Sequence, residues 1–214
     1  MEPDDFAGAE LRRRAVNSPE EPFLFFRDQR GHVSWWSWAR AARELEPGGA
    51  AAAPEVAPEV VPEVVRDWLA RLARAEAHQV AAAQRLLERL GAGPERDVWL
   101  SWRPLEADAE RTLALAAVAG GWAVLREPAD PLPAATFAWA RPTLIAAPGP
   151  ELDRLADDFA ALAPRLLGAR WRRRRLARLR AVLVEGGGGE DARSARWSAL
   201  GGRPRILSLA PGGW

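Results

Sequence analysis

From residue 98 onward five short apolar runs alternate with helical stretches, and this alternation constrains the fold more than any other feature of the chain. The runs are 98–102 (VWLSW), 122–125 (WAVL), 143–147 (TLIAA), 181–184 (AVLV) and 205–209 (RILSL). The stretches 106–119, 133–140, 150–163, 170–179 and 191–199 fill the gaps with helical spacing. Runs this short and this continuously apolar are strands buried on both faces, the signature of parallel rather than antiparallel pairing. Strands and helices in strict turn specify an α/β fold: a mainly parallel sheet flanked by helices and joined by right-handed crossovers.

The chain before residue 98 reads differently. Residues 9–16 have helical character and stop at NSPEEP. FLFF and HVSWW then flank the polar RDQRG, the pattern of a hairpin, and Ser37 is placed to cap a helix through SWARAARELE. Residues 1–46 are therefore expected to form a small hairpin and helix. Pro54-Glu55-Val56 recurs at Pro58 and at Pro62, and proline at every fourth position removes helical hydrogen bonds. Residues 47–66 are read as an extended linker and 67–214 as the α/β domain. Asp67 is expected to cap one long helix that ends at Gly91.

Composition excludes several chemistries. The basic residues are all arginine, and the chain has no cysteine and no tyrosine. Thiolate nucleophiles, cysteine metal sites, a lysine on a phosphate and a lysine Schiff base are ruled out. With 30 basic against 29 acidic residues the net charge is +1, which argues against a protein built mainly to hold nucleic acid. The opening MEPDDFAGAELRRRAV lacks the apolar core of a signal peptide, and the apolar stretch TLALAAVAGGWAVL is too short for a bilayer, which takes about 20 residues. A cytoplasmic location is expected.

The local candidates for a site are few. Gly186 to Gly189 form a glycine run after an apolar strand, but no GK[ST] follows and the spacing is not GxGxxG, so a plain strand-to-helix turn accounts for it. Glu106, Asp108 and Glu110 form a carboxylate set in which 106 and 110 share a helix face; exposed helix acids are the commoner meaning of such a pattern. His32 and His78 are isolated, and no metal site is expected. Residues 170–180 hold seven arginines, read as a solvated helix face with anionic-surface or nucleic-acid binding as the weaker alternative. The chain has 11 tryptophans; most belong in the core, at least one of Trp35, Trp36 and Trp38 faces outward, and Trp99 and Trp102 fall on opposite faces of one strand.

Three stretches, in order, resemble the adenylate-forming acyl-CoA synthetases, the long-chain type in particular. The helix-strand-helix passage AHQVAAAQRLLERLGAGPERDVWLSWRPLEADAERTLALAAVAGGWAVL is similar to that family's helix, its LPLaH strand end and the ER that follows. RPTLIAAPGPELDRL resembles RPT…VPR…EKL, and LRAVLVEGGGG…ALGGRPRILSLAPGG resembles LR…sGGApl…lG.pv.egYGxTE. The N-terminal hairpin and helix are similar to the family's opening. The resemblance implies the large N-terminal domain of such an enzyme. It places Gly186 and Gly187 against an adenine ring, and Trp102, Glu110 and Arg111 at substrate-binding positions.

The departures fall on the chemistry. The Ser/Thr/Gly-rich phosphate loop and its lysine should precede the helix that contains His78, where the Pro-Glu-Val linker stands. Ala107 replaces the family's histidine, Ala109 the following aromatic and Gly149 the arginine of VPR. Leu209, Ala210, Pro211, Gly212 and Gly213 stand where YGxTE would hold ATP and Mg²⁺, and the sequence reaches Trp214 without the lysine-bearing lid. No catalytic residue is assigned. The expectation is a non-catalytic, synthetase-like module that binds itself or a protein partner and keeps at most a vestigial adenine or acyl pocket. A minimal acyl-activating enzyme, with ATP and Mg²⁺ as cofactors, is the alternative.

Overall fold

The computed structural model describes residues 6–27, 33–45, 63–91, 96–103, 107–127, 132–162, 168–186 and 188–209. Among the described residues seven strands lie side by side in the order 33–37, 22–27, 123–126, 98–101, 144–148, 181–185 and 205–209, and every pairing described is parallel except the hairpin of 22–27 with 33–37. The α/β class with a mainly parallel sheet is as the alternation requires. The chain divides into two compact units, Met1–Arg96 with Pro104–Arg126, and Asp97–Arg103 with Glu127–Trp214.

In the first unit α1 (Phe6–Asn17) leads into β1 (Pro22–Arg27), β2 (Val33–Ser37) and α2 (Trp38–Leu45). Ser37 Oγ accepts from the Arg40 amide at 3.3 Å, so the expected cap of α2 is present. The hairpin pairs Phe25 with Trp35, and β1 pairs in parallel with β4 (Ala123–Arg126), Leu24 opposite Val124. Buried aromatics fill the space between: Phe23 stacks on Trp38 at 4.0 Å, and Phe26 meets Trp36 edge-on at 6.1 Å. Trp35, on the opposite face from Trp36, is 48% exposed and is the outward-facing member of its group.

The expected long helix is two helices. The first, α3 (Glu63–Leu72), starts inside the stretch read as linker, directly after the last proline of the repeat. A helix is free to start there because no further proline interrupts it. Asp67 lies within α3 and pairs with Arg71 at 2.7 Å instead of capping. After a turn at 73–74 the second helix, α4 (Ala77–Leu90), begins where the Gln79 side chain accepts from the Glu76 amide at 3.1 Å. Glu-x-x-Gln is half of a capping box, which gives the chain a restart point. Residues 47–62 of the linker reading lie outside the described residues.

Next comes α5 (Asp108–Gly120), in which Leu113 to Val118 are completely buried. A helix apolar on every side belongs in a core. Its end is held by two arginines: Arg14 donates to the Ala119 carbonyl at 2.5 Å and Arg96 to the Gly121 carbonyl at 2.8 Å. Both guanidinium groups lie over the Trp38 ring, at 5.9 and 5.7 Å. Burial pushes the pKa of each downward; Arg13 lowers that of Arg14 further and Arg14 that of Arg96, while Glu21 opposes both shifts, and both remain charged at neutral pH. Among the described residues no helix is long and apolar enough to cross a membrane.

In the second unit β3 (Val98–Ser101), β5 (Leu144–Pro148), β6 (Ala181–Glu185) and β7 (Arg205–Leu209) are parallel neighbours in that order. The helices α6 (Ala134–Ala140), α7 (Gly149–Leu162), α8 (Gly168–Leu176) and α9 (Glu190–Ala199) connect or follow them. Four consecutive buried residues in both β5 and β6 show these strands covered on both faces. Phe137 packs edge-on against Phe159 at 5.2 Å and against Trp197 at 5.8 Å. Trp99 is in β3, but Trp102 is one residue beyond the strand and is buried as well, so the two do not occupy opposite faces of a single strand.

Candidate functional site

Parallel strands end together, and the crevice beyond their carboxyl ends is where folds of this class bind ligands. In the second unit that edge is formed by Trp102 and Arg103 after β3, Pro148 and Gly149 at the join of β5 and α7, Glu185 and Gly186 at the end of β6, and Leu209 on β7. Register places Pro148 opposite Glu185 and Glu185 opposite Leu209.

The polar side chains here are engaged with one another. Trp102 donates its indole N–H to Glu151 Oε1 at 2.6 Å. Arg103 forms an ion pair with Glu185 in which Nη1 donates to both carboxylate oxygens. The Arg193 guanidinium lies directly against Gly149, in the space a Cβ would fill, and reaches Asp153 at 3.3 Å and the Gly188 carbonyl at 2.5 Å. Arg196 adds a contact to Asp157 at 3.2 Å, so α9 is strapped to α7 by two arginines on two aspartates.

The glycine turn has its own cause. Gly186, Gly188 and Gly189 have φ of +85°, +83° and +70°, the left-handed region that favours residues without a Cβ. A Cβ on Gly186 would meet nothing within 4 Å. Backbone conformation, rather than a crowding neighbour, therefore demands glycine there, and the surface over Gly186 is open. Gly187 lies outside the described residues.

Of the remaining sequence candidates, Glu110 and Arg111 are on α5 in the first unit, while Trp102 and Gly186 are in the second. Glu110 is 1% exposed, with Arg126 Nη1 3.8 Å from its carboxylate. Glu106 and the Asp108 side chain lie outside the described residues, so the carboxylate set is represented by Glu110 alone. His32 also lies outside them, and His78 is exposed beside Glu76, 3.3 Å away. Among the described residues no three histidine or carboxylate side chains gather as a metal would need. The donor set at the strand ends does not fit a magnesium-bound triphosphate: Glu151 and Glu185 already have partners, and the chain has no lysine. Sequence reasoning missed Arg103, Glu151, Glu185 and Arg193. Arg103 and Glu185 carry one local signal, a charge at the end of an apolar strand; Glu151 and Arg193 lie within α7 and α9 and carry none.

No family model matches the chain, and no curated protein does. Solved structures do. CmiS6 aligns at 12% identity over 94% of this chain and 70% of its own, with a TM-score of 0.60. O-succinylbenzoate coenzyme A synthetase (MenE) from Bacillus subtilis, in complex with ATP and magnesium ion, aligns at 12% identity over 90% of this chain and 57% of its own, with a TM-score of 0.56. The fatty acyl-adenylate ligase from L. pneumophila, in complex with acyl adenylate and pyrophosphate, aligns at 10% identity over 94% of this chain and 54% of its own, with a TM-score of 0.57. The chain thus spans little more than half the length of these two enzymes. It has the fold of the N-terminal large domain of the adenylate-forming acyl-CoA synthetases and ligases.

Proposed function

We propose that this protein is a non-catalytic member of that structural class, a binding or accessory module that retains at most a vestigial adenine or acyl pocket beside Gly186 and Gly187. One observation carries the reading. At the strand ends the charged and polar side chains are consumed by internal pairs, Trp102 with Glu151, Arg103 with Glu185 and Arg193 with Asp153. Catalysis of adenylate formation needs groups aimed at a charged phosphoryl centre. Here the available groups neutralise each other. Pyrophosphate exchange with Mg-ATP and a panel of fatty and aromatic acids tests this; the expected result is no exchange above background. Exchange proportional to protein concentration would overturn it.

The partner we propose is a second copy of the chain. In the first unit β2 ends the strand order, carries neither charge nor proline to blunt its edge, and exposes Val33 and Trp35 at 40% and 48%. A short neutral strand of this kind can pair with its own symmetry mate in an isologous dimer. Light scattering at micromolar concentration should report twice 23.4 kDa, reverting to the monomer mass in Trp35→Arg. A monomer in the unsubstituted protein would refute it.

A further inference from the structure

We propose that α8 and the segment beside it form a binding surface for the phosphate backbone of double-stranded nucleic acid. The sequence places no acidic residue between Asp158 and Glu185 and none after Asp191. The structure brings those two acid-free stretches together. Gly201 packs against Arg173, Gly202 packs against Leu176, and the Arg205 amide donates to the Arg180 carbonyl at 2.8 Å. Exposed Arg170, Arg173 and Arg174 on α8 therefore share a region with exposed Arg203. Residues 170 and 174 are one helical turn apart, about 6 Å along the axis.

Four aspartates of this unit are engaged elsewhere. Asp97 is taken by Arg180 at 2.6 Å and by the Thr143 hydroxyl at 2.8 Å. Asp153 and Asp157 hold Arg193 and Arg196, and Asp158 holds Arg154 at 3.2 Å. The near-zero charge of the whole chain conceals this segregation.

The kind of polyanion follows from what the patch lacks. Trp171 is stacked on Phe159 at 5.3 Å with Arg175 over its ring, and Leu176 and Leu179 are buried. Among the described residues of α8 the large apolar side chains are thus buried or stacked against the protein, which leaves little to insert into a lipid surface or to anchor a protein interface. Rigidly spaced guanidinium groups without an anchor suit a repeating phosphate backbone, where affinity comes from counterion release and carries no sequence preference.

The test is fluorescence anisotropy of a short fluorescein-labelled DNA duplex, titrated with the full chain at several salt concentrations. Four exposed arginines predict a log–log salt slope of about −3.6, an affinity loss of roughly a hundredfold between about 50 and 200 mM salt. Arg173→Gln with Arg174→Gln should reduce the slope to about −1.8, with the helical circular dichroism unchanged. Arg170→Gln with Arg203→Gln should do the same and guards against a local folding effect in the first pair. Arg66→Gln, on α3 in the other unit, should bind as the parent does. Absence of binding at low salt, a slope indifferent to both double variants, or capture by phosphatidylserine vesicles with no binding to DNA would each overturn the proposal.

Discussion

Replacing Arg103 by methionine, or Glu185 by glutamine, distinguishes a locked strand edge from a working one. Both side chains are mostly buried, at 22% and 18% exposure, and the arginine bonds both carboxylate oxygens. A surface pair would contribute about 0–1 kcal/mol, and breaking a fully buried one would cost about 3–5 kcal/mol. Charge-assisted bonds at intermediate burial fall between, at about 2 kcal/mol per single substitution. For a chain of this size each kcal/mol lowers the melting temperature by about 2–4 °C, so each variant should melt about 4–8 °C lower. The double variant should cost less than the sum, with a coupling of about 1–2 kcal/mol. Thermal and urea melts of the four proteins complete the cycle. Residues maintained for a ligand behave in the opposite way, because active sites hold groups in arrangements that oppose folding, and their removal commonly stabilises. Single variants as stable as the parent, or more stable, would refute the view that this edge is closed by its own side chains.

Gly121 ends α5 with φ of +70°, and a Cβ there would press on the Arg14 guanidinium, so Gly121→Ala should cost about 1–2 kcal/mol in a urea melt. Arg141 ends α6 with φ of +47°, the single described non-glycine residue in that region, and Arg141→Gly should stabilise by about 1 kcal/mol by the same assay. Trp197→Ala removes a fully buried ring that touches Phe137 and should cost about 3–5 kcal/mol, read as a lower urea midpoint.

The central strands β5 and β6 were legible because each is an apolar run buried along its length, and residues 205–209 form a strand with the bounds the sequence suggests. The break between α3 and α4 was not. Leu69 and Leu72 keep helical spacing with the residues beyond, and Ala75 in the connecting turn is buried like a helix position, so periodicity passes over the interruption. Glu76 and Gln79 were the available signal, a capping pair within a strong pattern. The site was legible only as backbone. The glycine turn after β6 is written in the sequence because left-handed geometry needs particular residues. Arg103 and Glu185 are 82 positions apart, and no local rule joins two charges across that distance. The arginine run at 170–180 was legible, but its neighbourhood with Arg203 was not, because folding alone brings residues 201–203 against α8.

The arginine clasp at the end of α5 has a consequence for how the chain is made. Arg14 emerges from the ribosome 105 residues before the carbonyl it will bond, and β1 emerges long before β4, its parallel partner. Until about residue 126 has been synthesised, the first strand lacks its parallel partner. Synthesis at about 5–20 residues per second leaves that strand waiting for several seconds, far longer than a hairpin takes to form. The nascent N-terminal unit should therefore recruit a chaperone, and slowed translation before residue 126 should raise aggregation rather than relieve it.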